Sequence, residues 1–340
     1  MSGEQFFNCF FRSLFIFILQ MKAIVVRQFG EPEVMRLEEV EDLIPAAGQV
    51  LVKVRAAGVN PVDAYIRTGT HARKPALPYT PGSDAAGEIV NVGEGVTAVK
   101  AGDRVFTAGT LTGAYAEFCL CEEKHVFRLP EKISFEQGAG VFVPYATAYR
   151  ALFQKAVPKA GEIVLIHGAS GGVGIAAIQF ARGANLKIIG TGGSEAGRNL
   201  ILDNGADYAL DHTSENYLNE IHEISEGKGV NIILEMLANV NLQKDFEVLA
   251  MYGRIVVIGN RGSLDFNPRS AMGKDATIFG MSLFNAPNEE MAEIFQGLAD
   301  GLSNGSLHPV VGKTFSLPDA AAAHRTVLEN KSFGKIVLIP

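Results

Sequence analysis

Cysteine is scarce in this chain of 340 residues: the three present cannot all pair, which excludes a disulfide-stapled scaffold. Cys119 and Cys121 fall on alternate positions of one apolar stretch and face the same side of a strand, a poor arrangement for a disulfide. Such usage fits a reducing, cytoplasmic compartment. Basic residues are outnumbered, 30 Lys and Arg against 37 Asp and Glu, for a net charge of −7 and a pI near 5.6. That balance leaves no basic stripe to track a phosphate backbone and argues against dedicated nucleic-acid binding from the outset. Long apolar runs are missing too, which excludes a multi-span membrane protein although the mean hydropathy is +0.15. What is present is 47% hydrophobic residues, 20% charged residues and 37 glycines, the composition of a compact α/β protein of about two domains.

Part of the apolar excess sits at the front, where residues 6–19 read FFNCFFRSLFIFIL. Arg12 and Ser13 interrupt it, so the run Leu14–Leu19 is too short to span a hydrocarbon core about 30 Å thick. The preceding MSGEQ lacks the basic residues of a signal peptide, and no small-x-small cleavage pattern precedes Met21. Residues 1–20 are expected to be an extension outside the fold, with the folded chain starting at Met21 and running straight into a strand.

From position 21 to 144, short strands alternate with Gly- and Pro-marked turns: residues 50–55, 86–92, 103–106 and 114–120. Helical stretches at 138–143 and 145–152 follow, and then near-continuous apolar runs at 163–166, 186–189, 208–210, 230–234, 254–258 and 277–281 are separated by helical segments. Such runs, buried on both faces, predict a doubly wound parallel sheet. A helix at 288–304 and a last strand at 335–339 complete the pattern, and that strand is expected to rejoin the first module. The expected domains are therefore a mostly-β unit, 21–144 plus 286–340, split by an inserted Rossmann-type unit, 145–285.

The run from Ile163 to His167 leads into Gly168-Ala-Ser-Gly-Gly-Val-Gly174 and a helical segment. Glycines there let the backbone turn tightly against a pyrophosphate, and the first N–H groups of the helix receive the anion. A dinucleotide site is expected. At the end of the next strand an NAD site usually places an acid to bind the ribose hydroxyls, but this chain reads Gly190-Thr-Gly-Gly193-Ser194. Glu195 reads better as the first turn of a helix capped by Ser194. With Arg198 nearby, and Lys187 and His212 as further donors, NADPH is the expected cofactor.

At this point the chain resembles the zinc-free, zeta-crystallin-like quinone oxidoreductase branch of the medium-chain dehydrogenase/reductase superfamily. The resemblance rests on Gly58-Val-Asn-Pro-Val-Asp-Ala-Tyr-Ile-Arg67, Pro78-Tyr-Thr-Pro-Gly-Ser-Asp84, Gly168–Gly174, Glu235-Met-Leu-Ala-Asn-Val-Asn241 and Ile258-Gly-Asn-Arg261, and covers 21–340 but not 1–20. It implies a GroES-like catalytic domain split by the Rossmann domain, a dimer or homotetramer, and NADPH-dependent reduction of a quinone. Zinc members of the superfamily carry Cys where Asn60 stands and Gly-His-Glu where Gly82-Ser83-Asp84 stands, and often a cluster of four further cysteines. No metal is therefore expected, nor oxidation of plain alcohols, for want of a Lewis acid to hold an alkoxide. Quinones and conjugated enones need less activation, and an enone or alkenal reductase on the same scaffold is the nearest alternative. A non-catalytic crystallin-type or RNA-binding role is implied by the family alone.

By the same resemblance Tyr65 and Asn60 are the catalytic candidates, Tyr65 bordering nicotinamide and substrate. Thr147, Ser170, Gly171, Gly172, Val173, Gly193, His212, Asn241, Ile258, Gly259, Asn260 and Arg261 are expected to line the cofactor, with Thr147 also readable as a helix cap. Glu235 is expected to be structural.

Overall fold

The structure, a computed structural model, describes residues 20–329 and 333–340. The expected extension, including Cys9, therefore lies almost wholly outside the described residues. The strands are β1 (Gln20–Val26), β2 (Met35–Glu41), β3 (Gln49–Val59), β4 (Asp84–Val92), β5 (Arg104–Thr107), β6 (Phe118–Glu122), β7 (Val126–Arg128), β8 (Ile163–Ile166), β9 (Lys187–Thr191), β10 (Tyr208–Leu210), β11 (Val230–Glu235), β12 (Leu249–Val257), β13 (Thr277–Gly280), β14 (Val311–Ser316) and β15 (Lys335–Ile339). They form a hairpin of β1 and β2, a seven-stranded sheet and a six-stranded sheet.

The six-stranded sheet has the order β10-β9-β8-β11-β12-β13, parallel throughout. Its central strands β8 and β11 are apolar on both faces because helices cover both, with Ile178 and Ile201 packed on one side and Phe246 and Ile221 on the other. Chain order runs outward from β8 in one direction and from β11 in the other, so the switch point of a doubly wound sheet falls between them. A ligand crevice belongs at the carboxyl ends of these two strands.

The seven-stranded sheet runs β14-β15-β3-β4-β5-β7, with β6 also on β3. The C-terminal strand β15 does rejoin the first module, antiparallel to β3. Of the stretch 114–120, only the end is a strand, because the backbone N–H groups of Ala114 and Tyr115 are taken by the Pro81 carbonyl (both 3.0 Å). The expected boundary at 144/145 falls inside the helix Phe142–Tyr149, which continues as a π-helical turn, Arg150–Ala156.

The seven-stranded sheet brings three distant residues together through register alone. Gly58 on β3 faces Asp84 at the start of β4, and Val59 faces Ile336 at the start of β15. Antiparallel pairing on both sides of β3 thus sets Asn60, Asp84 and Lys335 side by side at one sheet end.

Candidate active site

Lys335 is buried, and its ammonium donates to Asn60 Oδ1 (2.5 Å) and Asp84 Oδ2 (2.8 Å). Asn60 Nδ2 donates to the same Asp84 oxygen (3.0 Å), and the Val143 N–H satisfies Asp84 Oδ1 (3.2 Å). From Asn60 the network continues inward. Asn60 N–H donates to Asp63 Oδ2 (2.9 Å), which also accepts the Tyr115 hydroxyl (3.2 Å). Arg67 Nε donates to His324 Nδ1 (3.3 Å), so the other ring nitrogen carries the proton and donates to the Tyr115 oxygen (3.1 Å). Burial and the nearby guanidinium of Arg67 drive the His324 imidazole down to about 3, so it stays neutral. Burial pushes the Asp63 carboxyl up to about 7, and the Tyr115 phenol lies well above its ordinary range, again through burial first and then Asp63.

This network also decides the metal question by the chemistry of its donors. Where a zinc centre would need thiolate and imidazole, Asn60 and Asp84 already coordinate an ammonium, and Ser83 offers only a hydroxyl. Cys119 and Cys121 are buried free thiols with sulfurs 4.0 Å apart, and they pair with Val52 and Val50 at the far end of β3, about 25 Å away by strand rise. The residues at this sheet end do not fit zinc.

Tyr65 lies on the helix Pro61–Arg67 that follows Asn60, half-buried, and its hydroxyl has no partner among the described residues. Thr147 is not a cap: it is buried inside the helix Phe142–Tyr149.

On the parallel sheet, the helix Gly172–Gly183 begins at the glycine-rich turn after β8, with Gly171 as its N-cap. Gly174 is obligatory for packing, since a Cβ there would lie 2.5 Å from Ala169 Cα. At Gly171 and Gly172 a Cβ would meet nothing closer than 3.4 Å, so these two glycines leave space above the helix N-terminus rather than filling it. Ser170 and Val173 flank them, half-buried. The Gly334 N–H donates to the Ser170 carbonyl (2.8 Å), which ties Lys335 and its network to the loop.

After β9, Ser194 caps the helix Glu195–Asp203 by accepting from Gly197 N–H (3.2 Å), and Glu195 is exposed in its first turn. Gly193 and His212 are neighbours: a Cβ on Gly193 would sit 3.1 Å from the imidazole. Arg198 reaches Asp211 Oδ2 (2.7 Å) at the same strand end. Lys187 is a correction: it lies at the other end of β9, where its ammonium donates to the Ile224 carbonyl (2.9 Å) and cannot face the crevice.

After β12, Ile258, Gly259, Asn260 and Arg261 are stitched to the loop after β11. Ile258 N–H donates to the Glu235 carbonyl (2.9 Å), Asn260 Oδ1 accepts from Asn239 N–H (3.0 Å), and Arg261 N–H donates to Asn239 Oδ1 (2.9 Å). Gly259 permits this approach, because a Cβ would lie 2.2 Å from the Met236 carbonyl. Asn241 donates its amide to Glu235 Oε1 (3.2 Å). Of the expected cofactor residues, those of the parallel-sheet unit thus gather at the carboxyl ends of β8, β9, β10, β11 and β12, while Tyr65 and Thr147 lie on the helices Pro61–Arg67 and Phe142–Tyr149. Lys335, Asp84 and Asp63 were not anticipated as site residues; a charged residue opening an apolar strand, as Lys335 does, is the signal that could have found them.

A glycine-rich helix start at the switch point of a doubly wound sheet, set against a GroES-like sheet end, defines a medium-chain dehydrogenase/reductase. Residues 46–131 match the alcohol dehydrogenase GroES-like domain family, and residues 172–300 match the zinc-binding dehydrogenase family. The chain is 49% identical to the quinone oxidoreductase of Homo sapiens over 321 residues, covering 94% of this chain and 98% of that one. Among solved structures, an NAD-dependent alcohol dehydrogenase superposes with a TM-score of 0.86 at 28% identity (94% and 100% of the two chains). A mycobacterial protein complexed with NADPH superposes with 0.85 at 30% identity (94% and 100%). This chain belongs to the quinone oxidoreductase family and is an oxidoreductase that takes a nicotinamide cofactor.

Proposed function

We propose that the chain is a zinc-independent NADPH:quinone reductase, with the acceptor held between the two sheets near Tyr65 and Asn60. The observation that carries this reading is the Lys335 ammonium seated on Asn60 and Asp84, a neutral ion pair that occupies the sheet end and leaves no ligand set for a Lewis acid there. The bound nicotinamide supplies a hydride. The chain's own contribution is to orient the acceptor and to stabilise charge arriving on a remote oxygen with hydrogen-bond donors, Tyr65 first. Quinones meet those requirements and simple alcohols do not. NADPH is preferred over NADH because β9 ends in Thr191-Gly-Gly-Ser194 without a ribose-binding acid, and Arg198 and His212 stand beside that end. NADPH consumption measured with ortho- and para-quinones beside short enones tests the reading. No turnover with any of them, despite tight NADPH binding, overturns it, and turnover of enones alone assigns the enone reductase.

Assembly as a dimer or tetramer is part of the proposal. Strand β13 is a sheet edge on which Ile278 is exposed, and Tyr252 and Met272 are 72% and 73% exposed nearby. An uncovered edge with apolar neighbours favours pairing with a second copy. Light scattering on Ile278→Lys, which should dissociate the wild-type oligomer, tests it. Among the described residues no helix is long and apolar enough to cross a membrane. Two buried free thiols 4.0 Å apart support a reducing, cytoplasmic setting.

A further inference from the structure

Directly beneath the switch point lie three buried side chains that the proposed reaction does not use. His167 opens the turn out of β8, Glu235 is the last residue of β11, and Asp245 projects from the helix Ala238–Val248; their relative exposures are 3%, 0% and 2%. His167 Nε2 is 2.9 Å from Asp245 Oδ1 and 3.6 Å from Glu235 Oε2, and His167 Nδ1 is 3.3 Å from Thr191 Oγ1. Glu235 Oε1 accepts from the Leu237 N–H and from Asn241 Nδ2. Glu235 Oε2 and Asp245 Oδ2 are both buried and have no hydrogen-bond partner among the described residues. Leaving two carboxylate oxygens unsatisfied in the interior costs several kcal/mol, and two carboxylates beside one imidazolium leave an unbalanced charge. One proton between the two orphan oxygens removes both faults.

We propose that Glu235 is a positioning residue of the cofactor crevice: a protonated carboxyl that donates Oε2–H to Asp245 while its Oε1 holds Leu237 and Asn241 in place. The reading rests on the nicotinamide crevice described above and extends it. Through Glu235 the segment 236–241 is held, and through Asn239 and the Glu235 carbonyl that segment holds Ile258–Arg261. Loss of the proton sets two buried carboxylates against each other and releases both walls of the crevice at once. Burial, with the added charge of Asp245, pushes the Glu235 carboxyl up to about 7, which places this release within the physiological range. Although burial pulls the His167 imidazole down, Asp245 and Glu235 hold it above its ordinary value, so the imidazolium remains as counter-charge to Asp245. The other titratable groups facing the cluster are Tyr217, from the helix Tyr217–Ile224, and His212, from the loop after β10.

The test is cofactor affinity against pH, measured with NADH so that the 2′-phosphate of NADPH does not titrate in the same window. Wild type should lose about tenfold in affinity between pH 6 and pH 8.5. Glu235→Gln carries a permanent donor toward Asp245 and keeps the Oε1 acceptor, so it should hold the pH 6 affinity across the range; Glu235→Ala should bind weakly throughout. A wild-type profile that is flat, or a Glu235→Gln profile that follows wild type, overturns the proposal. Infrared difference spectroscopy of wild type against Glu235→Gln reads the proton directly and needs no cofactor, and the comparison removes the band of Asp63, which is also raised to about 7. A protonated-carboxyl C=O band present at pH 6 in wild type, lost by pH 9 and missing from Glu235→Gln supports the proposal, and no difference between the two at pH 6 overturns it. One equivalent of metal in the purified protein, lost in Asp245→Asn, also overturns it in favour of a cation. Failure of wild type to bind either nicotinamide at any pH, with the infrared band present, would sink the crevice reading and leave the proton in place.

Discussion

Replacing Lys335 by Met tests the arrangement at the end of the seven-stranded sheet most directly. The methionine keeps the length of the stem, which passes beside Gly140 and Gly172, and removes only the charge. Asp84, 1% exposed, would be left with the Asn60 amide and the Val143 N–H but no counter-ion. Removing one partner of a buried, hydrogen-bonded ion pair costs about 3–5 kcal/mol, because the remaining charge has no solvent to take its place. The stability of a chain this long falls steeply with temperature near its midpoint, so that is about 4–7 °C in the unfolding midpoint. Thermal melts of wild type, Lys335→Met, Asp84→Asn and the double variant form a cycle. The double variant buries no unpaired charge, so it should be more stable than the sum of the singles predicts by about 2 kcal/mol or more. Lys228→Met is the control: its ion pair with Glu226 is 77% exposed on both sides and should shift the midpoint by less than about 1 °C. If Lys335→Met melts within about 2 °C of wild type, the ammonium is not a buried counter-ion, and the argument that it stands where a metal would need ligands falls with it.

Asp63 gives a pH dependence of definite sign. Its folded value of about 7 exceeds its ordinary 3.8, so the folded state holds the extra proton between them, and stability declines as pH rises from about 4 through 7. At 1.36 kcal/mol per unit the decline is roughly 4 kcal/mol, and Asp63→Asn, which keeps an acceptor for Asn60 and Tyr115, should remove it; urea titrations at pH 5 and pH 8 showing the same loss of stability in both proteins would refute this. Gly172→Val should melt like wild type yet lose nicotinamide binding, whereas Gly174→Ala, with its Cβ 2.5 Å from Ala169 Cα, should lower the midpoint by several degrees. Binding isotherms and melts on the two variants separate a ligand-facing glycine from a packing one. Arg198→Ala should weaken NADPH about tenfold while changing NADH little, and equal loss for both would assign Arg198 to holding Asp211 instead.

The parallel sheet was legible because each of its inner strands is buried on both faces and therefore reads as an apolar run, and the glycine-rich turn was legible because its residues are consecutive. Strands β2 and β14 escaped notice for the opposite reason: they read MRLEEVE and VGKTFS, are exposed on much of their length, and carry no run to detect. Half of the site was hidden by the same logic. Asn60 and Lys335 are 275 residues apart and are brought together by strand-pairing register, and His167 and Asp245 are 78 apart and are brought together by the packing of the helix Ala238–Val248 on the parallel sheet. Lys187 shows the complementary error, in which a polar residue near a motif was credited with a role that its strand end denies it, and for Thr147 it is the cap reading alone that its place inside the helix denies.

The two buried clusters are not independent devices. Gly334 connects them: its φ of 108° and its N–H bond to Ser170 let the chain run from the glycine-rich loop directly into Lys335, and a Cβ there would lie 2.5 Å from the Val310 carbonyl. On one side of that joint the Lys335 ammonium neutralises Asp84; on the other, the loop that begins after His167 sits above the Glu235–Asp245 pair. Each cluster balances buried carboxylates with one cation or one proton, and each is anchored to a strand end that faces the crevice. A ligand that orders the loop at Ser170–Gly172 therefore bears on both sheets at once, through the backbone pairing of Gly334 with Ser170 and Gly171 on one side and through β8 on the other. The prediction embedded in that connection is that cofactor binding should protect the amides of Gly334 and Lys335 from hydrogen exchange as strongly as those of the loop itself.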